Sequence, residues 1–183
     1  MARNVELIRA PAGLSPGEYV WQVYDDEEGA KAYTPSLELT AVRHGQGWRI
    51  ELDWPCPNPV CEVDDDLTLF VDGAALLAPA ADDVMMRTMG APGKGVEGVL
   101  WRADRPSVYR ITAEGLGSVE RYDAPGNWTA SADWSAGRWR VTFDLGNWEA
   151  LTRRSLLGLA VWRGAARERG GLKSVSSDWL EVS

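Results

Sequence analysis

The sequence predicts a mostly β protein: a single-domain antiparallel β-sandwich with a few short helices. Apolar and polar residues alternate with a period of two in several segments, among them EYVWQVY, GWRIELDW, DLTLFVDG, PSVYRITAEG, NWTASADW and GRWRVTFDL. This alternation is the pattern of strands with one buried face. Turn signals rich in glycine and proline, such as HGQG, PCPNP, DAPGN and APGKG, separate the segments at short intervals, as is typical of sandwiches and barrels.

The elements follow from the local patterns in chain order. VELIR predicts an edge strand near the start of the chain, and GRWRVTFDL predicts a late strand that buries Trp139, Val141 and Phe143 while Arg138 and Arg140 face solvent. NWEALTRR and GAARERGG each predict a short helical segment between strands. The length of 183 residues fits one domain covering residues 1–183.

Composition excludes several functional classes. The net charge of -8 offers no basic surplus for a nucleic-acid backbone. No stretch approaches the 18 or so apolar residues of a membrane helix, and the first residues lack the apolar core of a signal peptide. His44 is the single histidine, which rules out a multi-histidine zinc site and a bis-histidine haem. No GxSxG motif of a serine hydrolase occurs.

Two cysteines, Cys56 and Cys61, lie five positions apart in PCPNPVC. They are able to close a small disulfide loop in an oxidising compartment or to persist as free thiols. The spacing supports neither a CxxC redox motif nor a c-type haem attachment.

Methionine is unevenly distributed, since Met85, Met86 and Met89 cluster in DDVMMRTMGAPGKG. On one interpretation these residues fill an irregular part of the core. On the other, a thioether serves as a soft ligand for haem iron. Lys173, in GGLKSVSSDWL, poses the same alternative between a solvated loop lysine and a ligand.

The order of several short motifs resembles one family. The motifs are Met89-Gly90, Pro92-Gly93, Trp101-Arg102-Ala103-Asp104, Ala160-Val161-Trp162-Arg163-Gly164 and Gly171-Leu172-Lys173-Ser174-Val175-Ser176, preceded by LFVDGAALL. Together they resemble the haem b-binding gamma subunit of the ethylbenzene dehydrogenase and dimethylsulfide dehydrogenase group, the type II members of the dimethyl sulfoxide reductase family of molybdenum enzymes. One departure is Trp162-Arg163-Gly164, where the family has Trp-Asp-Gly.

The resemblance implies a β-sandwich that holds one non-covalent haem b between methionine and lysine axial ligands. On this chain the matching residues are Met89 and Lys173, with Met85 and Met86 as alternatives if the alignment shifts. A lysine ligates iron only as the neutral amine, so the site must lower its pKa. Arg102 and Arg163, next to the ligand motifs, are candidate partners of the haem propionates, as is Lys94.

With both axial positions filled by the protein, electron transfer is the function that the resemblance implies. The chain would be a non-catalytic, periplasmic subunit working with an iron–sulfur subunit, a molybdopterin catalytic subunit and an external carrier such as a cytochrome c. The substrate of the parent enzyme and the direction of electron flow are left undefined by the sequence.

An alternative from another class is a carbohydrate-binding β-sandwich module without haem. Five tryptophans are candidates for a platform that stacks on sugar rings, namely Trp48, Trp54, Trp128, Trp134 and Trp148. This alternative requires those indoles to lie at the surface.

Overall fold

A computed structural model describes residues 1–10, 33–63 and 70–183. Within them the early strands are β1 (Arg3–Ala10), β2 (Ser36–His44), β3 (Gly47–Pro55), β4 (Gly73–Pro79), β5 (Val96–Arg102) and β6 (Tyr109–Ala113). The later strands are β7 (Glu120–Asp123), β8 (Trp128–Ser135), β9 (Arg138–Leu145), β10 (Leu156–Trp162), β11 (Lys173–Ser176) and β12 (Leu180–Glu181). The helix α1 spans Glu149–Arg154, and single 3-10 turns occupy Met86–Thr88 and Gly164–Ala166.

The strands form one curled antiparallel sheet in the order β7-β6-β5-β4-β10-β11-β1-β2-β3-β9-β8, and β12 pairs with β10. Strand β1 connects the two halves of this sheet. Its first part, through Glu6, pairs with β2, and its second part, from Leu7, pairs with β11. A strand that changes partners in this way turns the corner between two packed layers.

The main core lies between the two halves. Ile50, Val141 and Phe143 from one half and Leu76 and Leu159 from the other are 0% exposed members of a single apolar cluster. The two halves therefore pack face to face, and the predicted mostly β sandwich is confirmed. Helix α1 buries Leu151 against the same cluster.

Most of the predicted elements that fall within the described residues are present. The alternation of GRWRVTFDL appears in β9, where Trp139, Val141 and Phe143 are buried. NWEALTRR contains α1, and GAARERGG contains the second 3-10 turn. The predicted strand EYVWQVY lies outside the described residues. None of the described helices is long and apolar enough to span a bilayer.

The prediction of a strand at DLTLFVDG was wrong for its described part. The strand β4 begins only at Gly73, at the end of that segment. Before β4, the Asp72 amide donates to the Val60 carbonyl at 2.9 Å, and the Phe70 amide donates to the Gly164 carbonyl at 3.4 Å. These residues bond to loops at the end of the sandwich, so they are not available to a sheet ladder.

Candidate functional site

One layer of the sandwich is apolar on both of its faces. Every residue of β4 is buried, although a sandwich strand normally presents alternate residues to solvent. The side chains that point away from the main core form a second apolar cluster, which we call the outer face. It includes Ala75, Leu77, Val96, Leu100, Ile111, Ala113, Ala160 and Val175.

The middle of the outer face is built from small residues. Ala75 pairs with Ala160 across β4 and β10, and Leu77 lies between Gly98 and Gly158. A Cβ at Gly158 would lie 3.0 Å from the Trp179 ring and 3.2 Å from the Met86 side chain. Gly158 therefore allows the Trp179 ring and the Met86 side chain to approach the backbone closely, and both cover this part of the face with apolar groups.

The methionine-rich segment before β5 covers one end of this face. Met86 is buried in the cluster, Met89 packs against it, and Met85 is 64% exposed. Met89 has a φ of 55°, and its carbonyl accepts a hydrogen bond of 3.0 Å from the amide of Gly115. The Sδ atom of Met86 accepts a bond of 3.8 Å from the Ser176 hydroxyl.

Lys173 marks the opposite end of the outer face. Its Nζ lies 5.3 Å from the centre of the Trp162 ring, which packs against the outer-face cluster, and it donates to the Gly170 carbonyl at 3.2 Å. The side chain is half-buried, and burial lowers the pKa of the amine to about 8. A lower pKa increases the neutral fraction of the amine, which is the form that binds a metal.

The two predicted arginines are held at the same end as Lys173. Trp162 pairs with Gly73, and Gly73 pairs with Arg102 on the next strand. The Arg102 guanidinium makes two bonds to Asp104, at 3.0 and 2.6 Å. Arg163 directly follows β10. Lys94 belongs to the methionine-rich end, where it is exposed and lies 3.8 Å from an Asp83 oxygen.

The structure thus places Lys173 and Arg102 at one end of the outer face and Met89 at the far end of the same strands. Arg163 follows Trp162 in extended backbone, so its side chain points to the opposite side of the layer, where its charge acts on Cys56 and Glu168. Met89 lies near the start of β5. Its carbonyl accepts a hydrogen bond from Gly115, which lies two residues after the end of β6 at Ala113. Ala113 pairs with Val96, the first residue of β5. Arg102 ends β5. The outer-face cluster lies between these ends and separates the two predicted ligand residues.

Sequence reasoning missed Asp72, which is completely buried where β4 begins. Its Oδ2 accepts hydrogen bonds from Trp139 Nε1 and the Val60 amide, both at 2.9 Å, and its Oδ1 accepts one from the Gly164 amide at 2.7 Å. A buried carboxylate needs several donors to offset its lost hydration. Asp72 therefore ties four separate segments together below the Lys173 end of the sheet.

Glu168, 1% exposed, was missed as well. Its Oε2 accepts a bond of 2.7 Å from the Arg163 amide, whereas Oε1 is buried with no hydrogen-bond partner among the described residues. Burial raises the pKa of this carboxyl to about 8. No local pattern in RERGG distinguishes this glutamate from a solvated one.

The two cysteines occupy different environments and are free thiols. The buried Cys56 thiol lies 3.4 Å from Oδ2 of Asp72, and burial together with that carboxylate raises its pKa to about 12. Cys61 is exposed. Because the thiolate is the reactive form, Cys56 is chemically inert in this setting.

The five candidate tryptophans do not form the surface platform that the carbohydrate-binding alternative requires. Trp48, Trp54 and Trp148 are fully buried, and Trp128 is 6% exposed. Trp134 is 40% exposed, and its indole nitrogen donates to the Cys56 carbonyl at 2.8 Å. Four of the five candidate indoles thus serve as core residues.

The raised pKa of Glu168 predicts a pH dependence of stability. The unfolded carboxyl titrates near 4.5 and the folded one near 8, so the native state binds more protons between these values. The free energy of unfolding should therefore fall as the pH rises through this window, by roughly 2–4 kcal/mol, and Glu168→Gln should abolish that part of the fall. Urea unfolding of both proteins at pH 5 and pH 8.5 measures the difference; parallel profiles would contradict the assignment.

Fold and site together define a β-sandwich protein in which one layer carries a second, outward-facing apolar site bounded by methionines and a lysine. No model of a known protein family matches the chain. Over 190 residues, covering 97% of the chain, it is 25% identical to the dimethylsulfide dehydrogenase subunit gamma of Rhodovulum sulfidophilum. Over 160 residues, 82% of the chain, it is 29% identical to the chlorate reductase subunit gamma of Ideonella dechloratans.

The alignments span 68% and 66% of those relatives' own lengths. The predicted resemblance is confirmed: the chain is similar to the gamma subunits of dimethylsulfide dehydrogenase and of chlorate reductase.

Proposed function

We propose that this chain binds one haem b non-covalently on the outer face and acts as a non-catalytic electron-transfer subunit of a molybdenum oxidoreductase. The observation that carries the proposal is the buried outer face itself. A sandwich layer has no structural need for a second apolar face ending in a lysine whose pKa is lowered, whereas a flat apolar cofactor with an iron centre needs both.

The residues of the face fit such a group. Ala75 and Ala160 add little side-chain bulk at the centre of the face, which suits contact with an apolar ring. Gly98 and Gly158 are covered by Leu77, Ile111, Met86 and Trp179, so the lining around that centre is apolar as well. The bound haem would supply a one-electron redox centre, and Lys173 as a neutral amine and Met89 as a thioether would be its protein ligands.

Within the methionine-rich segment, the surroundings of the three sulfurs differ. Met85 is mostly exposed, and Met86 is already packed on Gly158 and bonded to Ser176. Met89 lies on the edge of the cluster in a turn whose backbone is fixed by its bonds to Met86 and Gly115. A residue with a fixed backbone and a half-buried side chain is the best placed of the three to act as a ligand.

The basic groups at the Lys173 end are proposed partners of the haem propionates. Arg102 is held by Asp104, so its guanidinium is oriented before any ligand arrives, and a propionate would share it. Arg163, the second predicted partner, follows Trp162 in extended backbone, and its Nε is buried on the side of Cys56 and Glu168. Of the two arginines, Arg102 is therefore the better supported propionate partner.

The relationship to gamma subunits supports a role within a larger enzyme. The partners proposed for this chain are an iron–sulfur subunit and a molybdopterin catalytic subunit, with an external carrier such as a cytochrome c. Substrate chemistry would take place in the catalytic subunit, and the assembly would be periplasmic. If Met89 and Lys173 held the haem, it would supply one-electron chemistry, and substrate chemistry would be left to the catalytic subunit.

The test is haem titration of the purified chain, followed by optical and EPR spectra. We expect one haem per chain with the signature of a six-coordinate methionine–lysine site. Met89→Ala should remove the thioether contribution and weaken haem binding about tenfold or more, while Met85→Ala, at an exposed position, should leave the spectrum unchanged. A colourless chain would refute the proposed function, and loss of the signature in Met86→Ala alone would reassign the ligand.

A further inference from the structure

The segment 163–172 joins β10 to β11 and delivers Lys173 to the outer face. It consists of two consecutive turns. In the first, the Arg167 amide donates to the Gly164 carbonyl at 2.9 Å, and in the second the Leu172 amide donates to the Arg169 carbonyl at 2.9 Å. The position of Lys173 therefore depends on how firmly these turns are held.

Glu168 closes the first turn through two hydrogen bonds to one residue. Its Oε2 accepts from the Arg163 amide at 2.7 Å, and its own amide donates to the Arg163 carbonyl at 3.3 Å. A side-chain bond and a backbone bond between the same two residues form a closed ring. Because Glu168 is 1% exposed, water cannot easily replace either bond.

The second turn presents the Gly170 carbonyl to the site. This oxygen accepts a bond of 3.2 Å from Lys173 Nζ and one of 3.1 Å from Trp162 Nε1. One carbonyl thus sets the position of the amine relative to the indole on the neighbouring strand. Gly170 follows Glu168 by two residues, so a shift of the clamped turn would move this carbonyl.

We propose that Glu168 is a positioning residue, a buried clamp that holds segment 163–172 so that the amine of Lys173 faces the iron of the bound haem. The ligation part rests on the proposed function, whereas the clamp is a property of the folded chain alone. Glu168 does not touch the cofactor; it acts through Arg163 and Gly170.

The surroundings of the Glu168 carboxyl explain why an uncharged side chain is able to hold segment 163–172. Charges of Arg163 on its own turn, Asp72 before β4 and Arg9 on β1 act on it, yet burial dominates and raises its pKa to about 8. The carboxyl is therefore mostly protonated at pH 7. A glutamine amide has the same shape and still offers an acceptor to the Arg163 amide.

The experiment compares the haem-loaded wild-type chain with Glu168→Gln and Glu168→Ala, and uses Glu38→Ala at an exposed position of β2 as the matched control. We expect Glu168→Ala to lose the lysine signature in the EPR spectrum and to exchange the amides of 163–172 about tenfold faster. Glu168→Gln and Glu38→Ala should behave as the wild type does. Glu168→Asp, which shortens the side chain by one methylene, gives the same test if the alanine variant does not fold.

Wild-type spectra and exchange rates in both Glu168→Ala and Glu168→Asp would overturn the clamp. A wild-type chain that takes up no haem would refute the proposed function, and hydrogen exchange would then still decide whether Glu168 clamps the segment. Faster exchange with unchanged lysine ligation would overturn the positioning role.

Discussion

Replacing Lys173 by leucine should abolish the lysine signature of the haem-loaded protein and at the same time make the haem-free chain more stable. The amine is half-buried, with a pKa lowered by burial from 10.5 to about 8. At pH 7 the free chain must therefore bury a charge at a cost of about 1–3 kcal/mol, which an apolar side chain beside the Trp162 ring avoids. A functional residue that destabilises the empty fold is expected where a site is built for a ligand.

Two measurements check this prediction. EPR and near-infrared spectra of haem-loaded Lys173→Leu report the axial ligand, and urea unfolding of the haem-free variant at pH 7 reports stability. Lys94→Leu is the matched control, because Lys94 is exposed at the opposite end of the outer face. An unchanged spectrum in Lys173→Leu would remove this lysine from the ligand assignment, and a loss of stability would show that the amine contributes favourably to the fold.

Replacing Asp72 by alanine should have the largest effect on stability of any single change at the site. The carboxylate is fully buried and accepts bonds from Trp139, Gly164 and Val60. Its removal leaves three donors without their acceptor, two of them fully buried, which we expect to lower the free energy of unfolding by about 3–5 kcal/mol. Because Gly164 begins the segment that leads to Lys173, haem affinity should fall as well.

Thermal and urea unfolding of Asp72→Ala measure the loss. Asp144→Ala provides the comparison, since Asp144 is 46% exposed and is paired with the exposed Arg49; such surface pairs contribute little. If both variants unfolded at the same denaturant concentration, the three hydrogen bonds to Asp72 would not be holding the end of the sandwich together.

Local sequence patterns were sufficient to predict the strands that have one solvent-exposed face. In β9, alternation placed Trp139, Val141 and Phe143 on the buried side. Period-two alternation did not predict β4. Both faces of this strand are covered, and its sequence GAALLAP shows no alternation of apolar and polar residues. A strand that is buried on both sides has no polar face that would reveal it in the sequence. The prediction therefore placed the strand too early, at DLTLFVDG, where apolar and polar residues do alternate.

The residues of the candidate site also fall into two groups, those that the sequence predicted and those that it did not. Met89, Lys173, Arg102 and Arg163 are predictions from short motifs that resemble a known family in their order, and a thioether and an amine are distinctive ligand types. Asp72 and Glu168 were missed. Neither residue type nor neighbouring residues distinguish a buried carboxyl from a solvated one, since its burial is produced by segments that are distant in sequence.

By itself the sequence determined the fold class and the positions of most of the described strands that have one solvent-exposed face, since these depend on local periodicity. Only the tertiary structure decided that one layer of the sandwich has a second apolar face, that Lys173 and Arg102 share one end of it, and that Glu168 and Asp72 hold that end. The physical reason is that burial, lowered or raised pKa values and shared hydrogen bonds arise from contacts between strands that are far apart in the chain.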